Sequence, residues 1–256
     1  MKRLSDLTGK TVAVAGALGR IGLGACRALA AEGARVLALD LPQALALRGD
    51  ALPKGAEFLA FDATKTDDAL SALADLEAKI GGLAGWVYCA YPKVEGWAKA
   101  SDASTPAELG AVLATQLVAP LVLAEAVAER MARRGGGSIV QIGSIYGLVS
   151  PDFSVYDGLG MGTPAAYSTV KGGLLGHMRW LAGRYGREDV RVNLIAPGGI
   201  EAEQPAEFKK RYAKRTMLGR MASREDIGGP IAFLVSDAAR YVTGTVIPVD
   251  GGWTAL

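Results

Sequence analysis

Thr11-Val-Ala-Val-Ala-Gly16-Ala-Leu-Gly19-Arg-Ile-Gly22 is the stretch whose reading decides the fold. Its first five residues form a short apolar, β-branched run, the pattern of a buried strand. The glycines follow at once, and a helical pattern then runs to about Glu32, closed by Gly33. Each glycine meets a different need. Gly16 permits a tight turn out of the strand, Gly19 allows close backbone approach to a pyrophosphate, and Gly22 allows close helix–strand packing. A helix starting at Arg20 and Ile21 presents free N–H groups and the positive end of its dipole to phosphates. Ala34-Arg-Val-Leu-Ala-Leu39 reads as a second strand. It ends at Asp40, about 20 residues beyond the glycines, where a carboxylate can hold the hydroxyls of an adenosine ribose. Strand, glycine turn, helix and downstream Asp together predict a dinucleotide site. Asp40 should repel a ribose 2′-phosphate, which favours NAD over NADP. Arg20 offers the opposite pull, or is simply a solvated turn residue.

Further out, strand-like runs fall near residues 11–15, 35–39, 57–61, 84–89, 138–142, 190–195 and 245–249. Helical patterns lie between them, at about 67–79, 106–133, 165–186 and 223–236. Such alternation predicts an α/β fold: one doubly wound, Rossmann-type parallel sheet of about seven strands, with helices on both faces and right-handed crossovers. Ser223-Arg-Glu-Asp226 reads as a helix start, with Pro230 expected to disturb the early turns. No linker, repeat or low-complexity segment divides residues 1–256, so one domain is expected. Apolar residues make up 50% of the chain and charged residues 21%, a globular composition. The net charge of +2 gives no reason to expect a nucleic-acid partner. The N-terminal Met1-Lys-Arg-Leu-Ser-Asp-Leu-Thr8 lacks the apolar core of a signal peptide. No run of about 18 apolar residues suggests a membrane span. A cytoplasmic protein without a membrane partner is the expectation. Cys26 and Cys89 are expected as reduced, buried thiols, and His177 stands alone, so no metal site is predicted.

A second constellation carries chemistry. Tyr167 and Lys171 stand four apart in Tyr-Ser-Thr-Val-Lys, which places both on one face of a helix. An ammonium beside a phenol favours the phenolate, and a Tyr whose ordinary pKa is about 10 then becomes an acid/base near neutrality. Ser144 follows the apolar run Ser138-Ile-Val-Gln-Ile142, where a strand should end, and its hydroxyl could hold the oxygen that Tyr167 protonates or deprotonates. A helix surface that happens to carry an aromatic and a lysine is the plain alternative.

These residues, taken with others, resemble the short-chain dehydrogenase/reductase family over nearly the whole chain. Asp62-Ala-Thr64, Ile142-Gly-Ser144, Arg191-Val-Asn-Leu-Ile-Ala-Pro-Gly198 and Tyr241-Val-Thr-Gly244 running on to Val249-Asp-Gly-Gly252 are similar to family motifs. The resemblance implies that Tyr167 is the catalytic acid/base, Lys171 lowers its pKa and binds the nicotinamide ribose, and Ser144 orients the reacting oxygen. It also implies that Asp62, with Ala63 beside it, contacts the adenine, and that Pro197, Gly198 and Ile200 line the nicotinamide pocket. Two departures stand out. Where the family usually carries Asn-Asn-Ala-Gly, this chain has Tyr88-Cys89-Ala90-Tyr91, retaining Ala90 alone. Gln116 stands where the family has an Asn thought to hold a water in a proton relay to the lysine.

Substrate information should lie in two irregular stretches, at about 145–166 and 199–216. The first separates Ser144 from Tyr167 by 23 positions, longer than the family pattern. Asp152, Tyr156 and Asp157 within it could bind a polyhydroxylated substrate or serve as ordinary turn residues, and Tyr91 and Tyr146 are further candidates. Lys209, Lys210, Arg211, Lys214 and Arg215 form a basic cluster, either a solvated helix face or an attractor of anionic substrates. Ala90-Tyr-Pro92, Ser144-Ile-Tyr-Gly147, Tyr156-Asp-Gly158 and Pro197-Gly-Gly-Ile200 with Gln204-Pro205 are similar to a subgroup linked to flagellin modification and bacterial surface-sugar (nonulosonate-type) synthesis. That likeness implies a sugar, sugar phosphate or nucleotide sugar. The expected function is therefore NAD(P)-dependent interconversion of a secondary alcohol and a ketone on a carbohydrate-like substrate. A 3-oxoacyl or small-ketone reductase and a non-catalytic NAD-binding regulator or scaffold remain as alternatives. Relatives are commonly homotetramers, so a homo-oligomer, tetramer or dimer, is expected.

Overall fold

The computed structural model describes residues 5–92 and 105–256. Met1 to Leu4, the start of the N-terminal segment read above, lie outside them. Seven parallel strands form one sheet in the order β3-β2-β1-β4-β5-β6-β7. They are β1 (Thr11–Ala15), β2 (Arg35–Asp40), β3 (Glu57–Ala60), β4 (Gly85–Tyr88), β5 (Gly137–Ile142), β6 (Val190–Pro197) and β7 (Val246–Val249). The helices are α1 (Arg20–Ala31), α2 (Pro42–Arg48), α3 (Thr66–Ile80), α4 (Pro106–Leu113), α5 (Ala119–Ala132), α6 (Ala165–Tyr185), α7 (Ala206–Lys214) and α8 (Arg224–Val235).

The two-residue alternation of the strands sorts their side chains into two cores. Ala13, Ala15, Leu37, Leu39 and Trp86 face one side and pack with Leu73 of α3, Leu123 and Val127 of α5, and Leu174 and Met178 of α6. Val12, Val14, Val36, Ala38 and Val87 face the other side and pack with Cys26 and Leu29 of α1 and Ile227, Ile231 and Leu234 of α8. Each such large apolar side chain contributes about 1.5–3 kcal/mol on burial. The sheet is thereby covered on both faces, as an all-parallel sheet requires.

Strand order reverses at β1, which pairs with β2 on one side and β4 on the other. The chain leaves β1 at Gly16 with φ +75°, and a Cβ there would stand 2.5 Å from the Ala90 backbone beyond β4. A Cβ on Gly22 would meet the Gly16 carbonyl oxygen at 2.0 Å. Small residues on α1 also set its approach to α8: a Cβ on Gly24 would lie 2.3 Å from the Arg224 carbonyl oxygen, and one on Gly228 would lie 2.5 Å from that of Gly24.

Three local features differ from the sequence reading. The long central helix is interrupted by one π-helical turn, Ala114–Val118, centred on Gln116. Including that turn, Pro106–Ala132 is long and apolar enough to cross a membrane, yet Leu123, Ala124, Val127, Ala128 and Met131 along it are buried in the core. Helix α8 continues through Pro230. A capping box between Ser223 and Asp226 starts it, and Arg220 grips the same Asp226 carboxylate at 2.7 and 2.9 Å, so a firm first turn offsets the one hydrogen bond that the proline cannot donate.

The α1–α8 contact leaves no room for a methyl group. Gly24→Ala should lower the unfolding free energy by about 1–3 kcal/mol, as overpacking of a tight contact does. Urea titration of the two proteins measures it, and equal midpoints would show that the helices part without cost.

Candidate active site

Asp40 ends β2 beside the glycine turn. One carboxylate oxygen accepts the Leu18 N–H at 2.8 Å and the other accepts the Leu41 N–H at 2.8 Å. These bonds fix the carboxylate while leaving lone pairs for hydroxyl donors. Helix α1 begins from Gly19 without any side-chain cap, so its first-turn N–H groups, including those of Arg20 and Ile21, are available to an anion. An uncapped helix start, glycines whose Cβ has no space and a fixed acidic residue at the second strand's end fit a dinucleotide. Arg20 reaches Glu203 at 3.1 Å across the surface, which offsets its charge toward a 2′-phosphate. Asp62 accepts from the N–H and hydroxyl of Thr64, at 3.0 and 2.6 Å, and these bonds hold its carboxyl below its ordinary range against the opposing effect of burial. Ala63 is buried beside it. Pro197 ends β6 and Gly198 and Ile200 follow it, where Gly198 donates to the Val249 carbonyl at 3.0 Å and Ile200 forms a bridge to Ala222.

Ser144 leaves β5 two residues past Ile142 and accepts the Tyr146 N–H at 3.2 Å. Its hydroxyl also hydrogen-bonds the Tyr167 phenol on the first turn of α6. Lys171, one turn on, donates to the Ile142 carbonyl at 3.0 Å and lies 5.7 Å from the Tyr167 ring centre. The three groups thus converge at the C-terminal edge of the sheet. Gly147, which the sequence reading quotes only as the end of Ser144-Ile-Tyr-Gly147, permits this. A Cβ on Gly147 would stand 2.7 Å from the Lys171 backbone, so only glycine lets the turn after Ser144 lie flat on α6.

The electrostatics differ from the simple reading of an ammonium lowering a phenol. Burial dominates both groups. It pushes the Tyr167 phenol up, against the lowering effect of the Ser144 hydrogen bond, and it pulls the Lys171 ammonium down to about 8. In the protein alone the pair sits desolvated, so any further donor or charge brought beside it acts with little screening.

Around the phenol lies an aromatic wall. Tyr91 and Tyr146 both stand edge-on to Tyr167, at 6.1 and 6.4 Å and 87° each. The Tyr146 and Tyr156 hydroxyls share a hydrogen bond of 3.0 Å. Beyond them Trp253 stacks on Tyr212 at 4.4 Å, and Phe208 of α7 packs on Tyr156 at 5.4 Å. Asp152 and Asp157 are placed differently from these rings. The Asp152 carboxylate caps a short turn through Ser154 and pairs with Arg215 at 2.9 Å. Asp157 has an exposed side chain, and its carbonyl accepts from Arg211 at 2.7 Å. Arg211 and Arg215 of the basic cluster therefore clasp the loop to α7, and Lys209 pairs with Glu201 at 3.0 Å. The plain turn-and-surface reading describes these ions better than an open anion site does. Gln116 is buried in the π-helical turn, where its amide N–H donates to the Pro92 carbonyl at 2.7 Å. His177 is buried between Gln141 and Glu125.

The chain is similar to known dehydrogenases and reductases. A family model described as Enoyl-(Acyl carrier protein) reductase matches residues 16–254. The chain is 32% identical to 2-(S)-hydroxypropyl-CoM dehydrogenase 3 of Xanthobacter autotrophicus over 98% of each protein. It is 33% identical to galactitol 2-dehydrogenase (L-tagatose-forming) of Cereibacter sphaeroides, covering 97% of this chain and 96% of that one. Post-translational flagellin modification protein A of Campylobacter coli is 30% identical, with 96% and 99% covered. A short chain dehydrogenase of Leptospira borgpetersenii, solved with bound NAD+, superposes with a TM-score of 0.86 at 27% identity, covering 99% of this chain and 96% of that one.

Burial of Lys171 has a cost with a defined pH window. Its folded pKa, about 8, lies below the ordinary 10.5. The unfolded chain therefore holds the proton more tightly, and stability rises as pH increases through that interval. Below pH 8 the cost is present in full. Lys171→Met should raise the unfolding free energy at pH 7 by about 1–3 kcal/mol. That gain should shrink towards zero as pH approaches 10.5. Urea titrations at pH 7 and pH 10 measure it, and a gain that does not change with pH would contradict a charged, buried lysine.

Proposed function

The chain belongs to the short-chain dehydrogenase/reductase family, and from that membership we propose that it interconverts a secondary alcohol and a ketone on a carbohydrate-like substrate with NAD as cofactor. The observation that carries the reading is the convergence of Ser144, Tyr167 and Lys171 beside the glycine turn. NAD is preferred to NADP because Asp40, held by two backbone N–H groups, occupies the ribose end of the site with a negative charge. Gly16, Gly19 and Gly22, with the N–H groups of Arg20 and Ile21, would hold the pyrophosphate. Asp62 and Ala63 would flank the adenine, and Ala90, Pro197, Gly198 and Ile200 the nicotinamide end.

A bound nicotinamide supplies the hydride acceptor or donor at the carbinol carbon. The remaining work belongs to the chain. In alcohol oxidation Tyr167, as phenolate, takes the hydroxyl proton while the carbinol C–H bond breaks and the C=O bond forms; in reduction it returns the proton to the oxygen. Ser144 donates to that same oxygen and stabilises its developing charge. Lys171, when charged, favours the phenolate and can hold ribose hydroxyls. Gln116, in the π-helical turn, would position the β4 exit and any water that relays protons to Lys171.

The aromatic wall supports a ring- or chain-shaped polyol as substrate, because sugars present apolar C–H faces to aromatic rings and hydroxyls to groups such as the Tyr146–Tyr156 pair. The galactitol dehydrogenase among the relatives supports the same class. The loops at about 145–166 and 199–216 would set its identity. Exposed Val118 and Trp180 on the long helices support a homo-oligomer paired through those faces.

Tyr167→Phe should leave NAD binding, read by NADH fluorescence, nearly intact and lower kcat by roughly 10²–10⁴-fold, the scale of a lost acid/base. Retained turnover would remove Tyr167 from the chemistry. In a thermal-shift screen with NAD or NADP present, polyols, sugar phosphates or nucleotide sugars should stabilise the protein. A response confined to acyl-carrier thioesters would replace the carbohydrate reading with a 3-oxoacyl reductase, and selective stabilisation by NADP would overturn the reading of Asp40.

A further inference from the structure

Lys171 is 8% exposed, and among the described residues no carboxylate pairs with it. Its hydrogen bond to the Ile142 carbonyl is joined by two aromatic faces, Tyr167 at 5.7 Å and Tyr91 at 5.4 Å from the ammonium nitrogen. Tyr91 also stands edge-on to Tyr167 at 6.1 Å. The buried cation, the reacting phenol and a second ring therefore form one mutually touching group. An aromatic face attracts a cation through its quadrupole, and more strongly where water is excluded.

Tyr91 is held in place from behind. The residue after it, Pro92, gives its carbonyl to the buried Gln116 amide, which the π-helical turn points at the β4 exit. The titratable and charged groups facing Lys171 come from three elements. From the β4 exit come Cys89, a thiol that burial pushes up and so keeps neutral, and Tyr91 itself. Tyr167 shares α6 with the lysine, and the loop after β5 adds Ser144 and Tyr146, the latter through its contact with Tyr167. Asp40 acts more remotely, through its effect on Cys89.

We propose that Tyr91 is a positioning residue that keeps the Lys171 ammonium charged and directed at Tyr167 through its ring face, with Gln116 as the tether that sets its place. Its phenol hydroxyl is not required for this; its ring is. The proposal rests on the reading of Tyr167 as the acid/base.

Two measurements test it. In the pH profile of kcat for alcohol oxidation, loss of the ring face lowers the proton affinity of Lys171 and so raises that of Tyr167. Tyr91→Leu should move the acidic limb upward by about half a pH unit or more. Tyr91→Phe should keep the limb where the unsubstituted protein has it. A Leu profile that superposes on the unsubstituted one, or a Phe profile that shifts as far as Leu, overturns the proposal. The second measurement needs no turnover. The rise in urea midpoint caused by Lys171→Met at pH 7 should be larger in the Tyr91→Leu background than in the Tyr91→Phe background, because the uncompensated charge costs more without the ring. Equal rises overturn it. If no alcohol is oxidised at all, the functional reading fails while this comparison still reports on the Tyr91–Lys171 contact.

Discussion

Three backbones meet at Gly16 with no space for a side chain. The exit of β1, the first turn of α1 and the exit of β4 approach so closely that a methyl group at Gly16 or Gly22 would overlap main-chain atoms. The reversal of strand order beside β1 opens a crevice at the sheet's C-terminal edge, and this contact forms its floor. Asp40 closes one end by accepting the Leu18 N–H, and Ala90 contributes from the other strand. The parallel pairing of β4 with β5 brings Ser144 to the same edge, and the close contact of Gly147 with α6 brings Tyr167 and Lys171 there.

Much of this is legible in the sequence for a physical reason. Buried parallel strands read as near-continuous apolar runs, so residues 12–15, 36–39 and 194–197 announce themselves. The glycine turn is legible because steric exclusion acts between residues close along the chain, as Gly22 against Gly16 shows. The missed features depend on contacts remote in sequence. Gly147 looks like any loop glycine until α6 is laid across it, and Arg211 and Arg215 look like a basic face until the 150–160 loop folds under them. Gln116 keeps an ordinary helical pattern in sequence, and nothing local marks the wider turn around it.

The site also shows a conflict between function and stability within one residue. Lys171 is placed where burial opposes its charge, and among the described residues its direct compensation is a carbonyl and two ring faces rather than a carboxylate. A carboxylate would hold the ammonium more firmly, but it would spend the charge that should act on Tyr167. Weak, diffuse partners keep the cation present and its field directed towards the phenol.

The π-helical turn at Ala114–Val118 sets the phase between two halves of a helix. One residue more than an α-helical turn needs is accommodated there, so α4 and α5 are rotated relative to each other by about 100° compared with an unbroken helix. The downstream half keeps Leu123, Val127 and Met131 in the core while the turn itself points Gln116 at Pro92. The segment thus works as a vernier. A lineage that deleted a single residue here would keep every apolar side chain of α5 in register with the sheet, yet would swing α4 round the helix axis. Loss of the Gln116 tether and rotation of α4 would then occur in one step, without any change at the glycine turn.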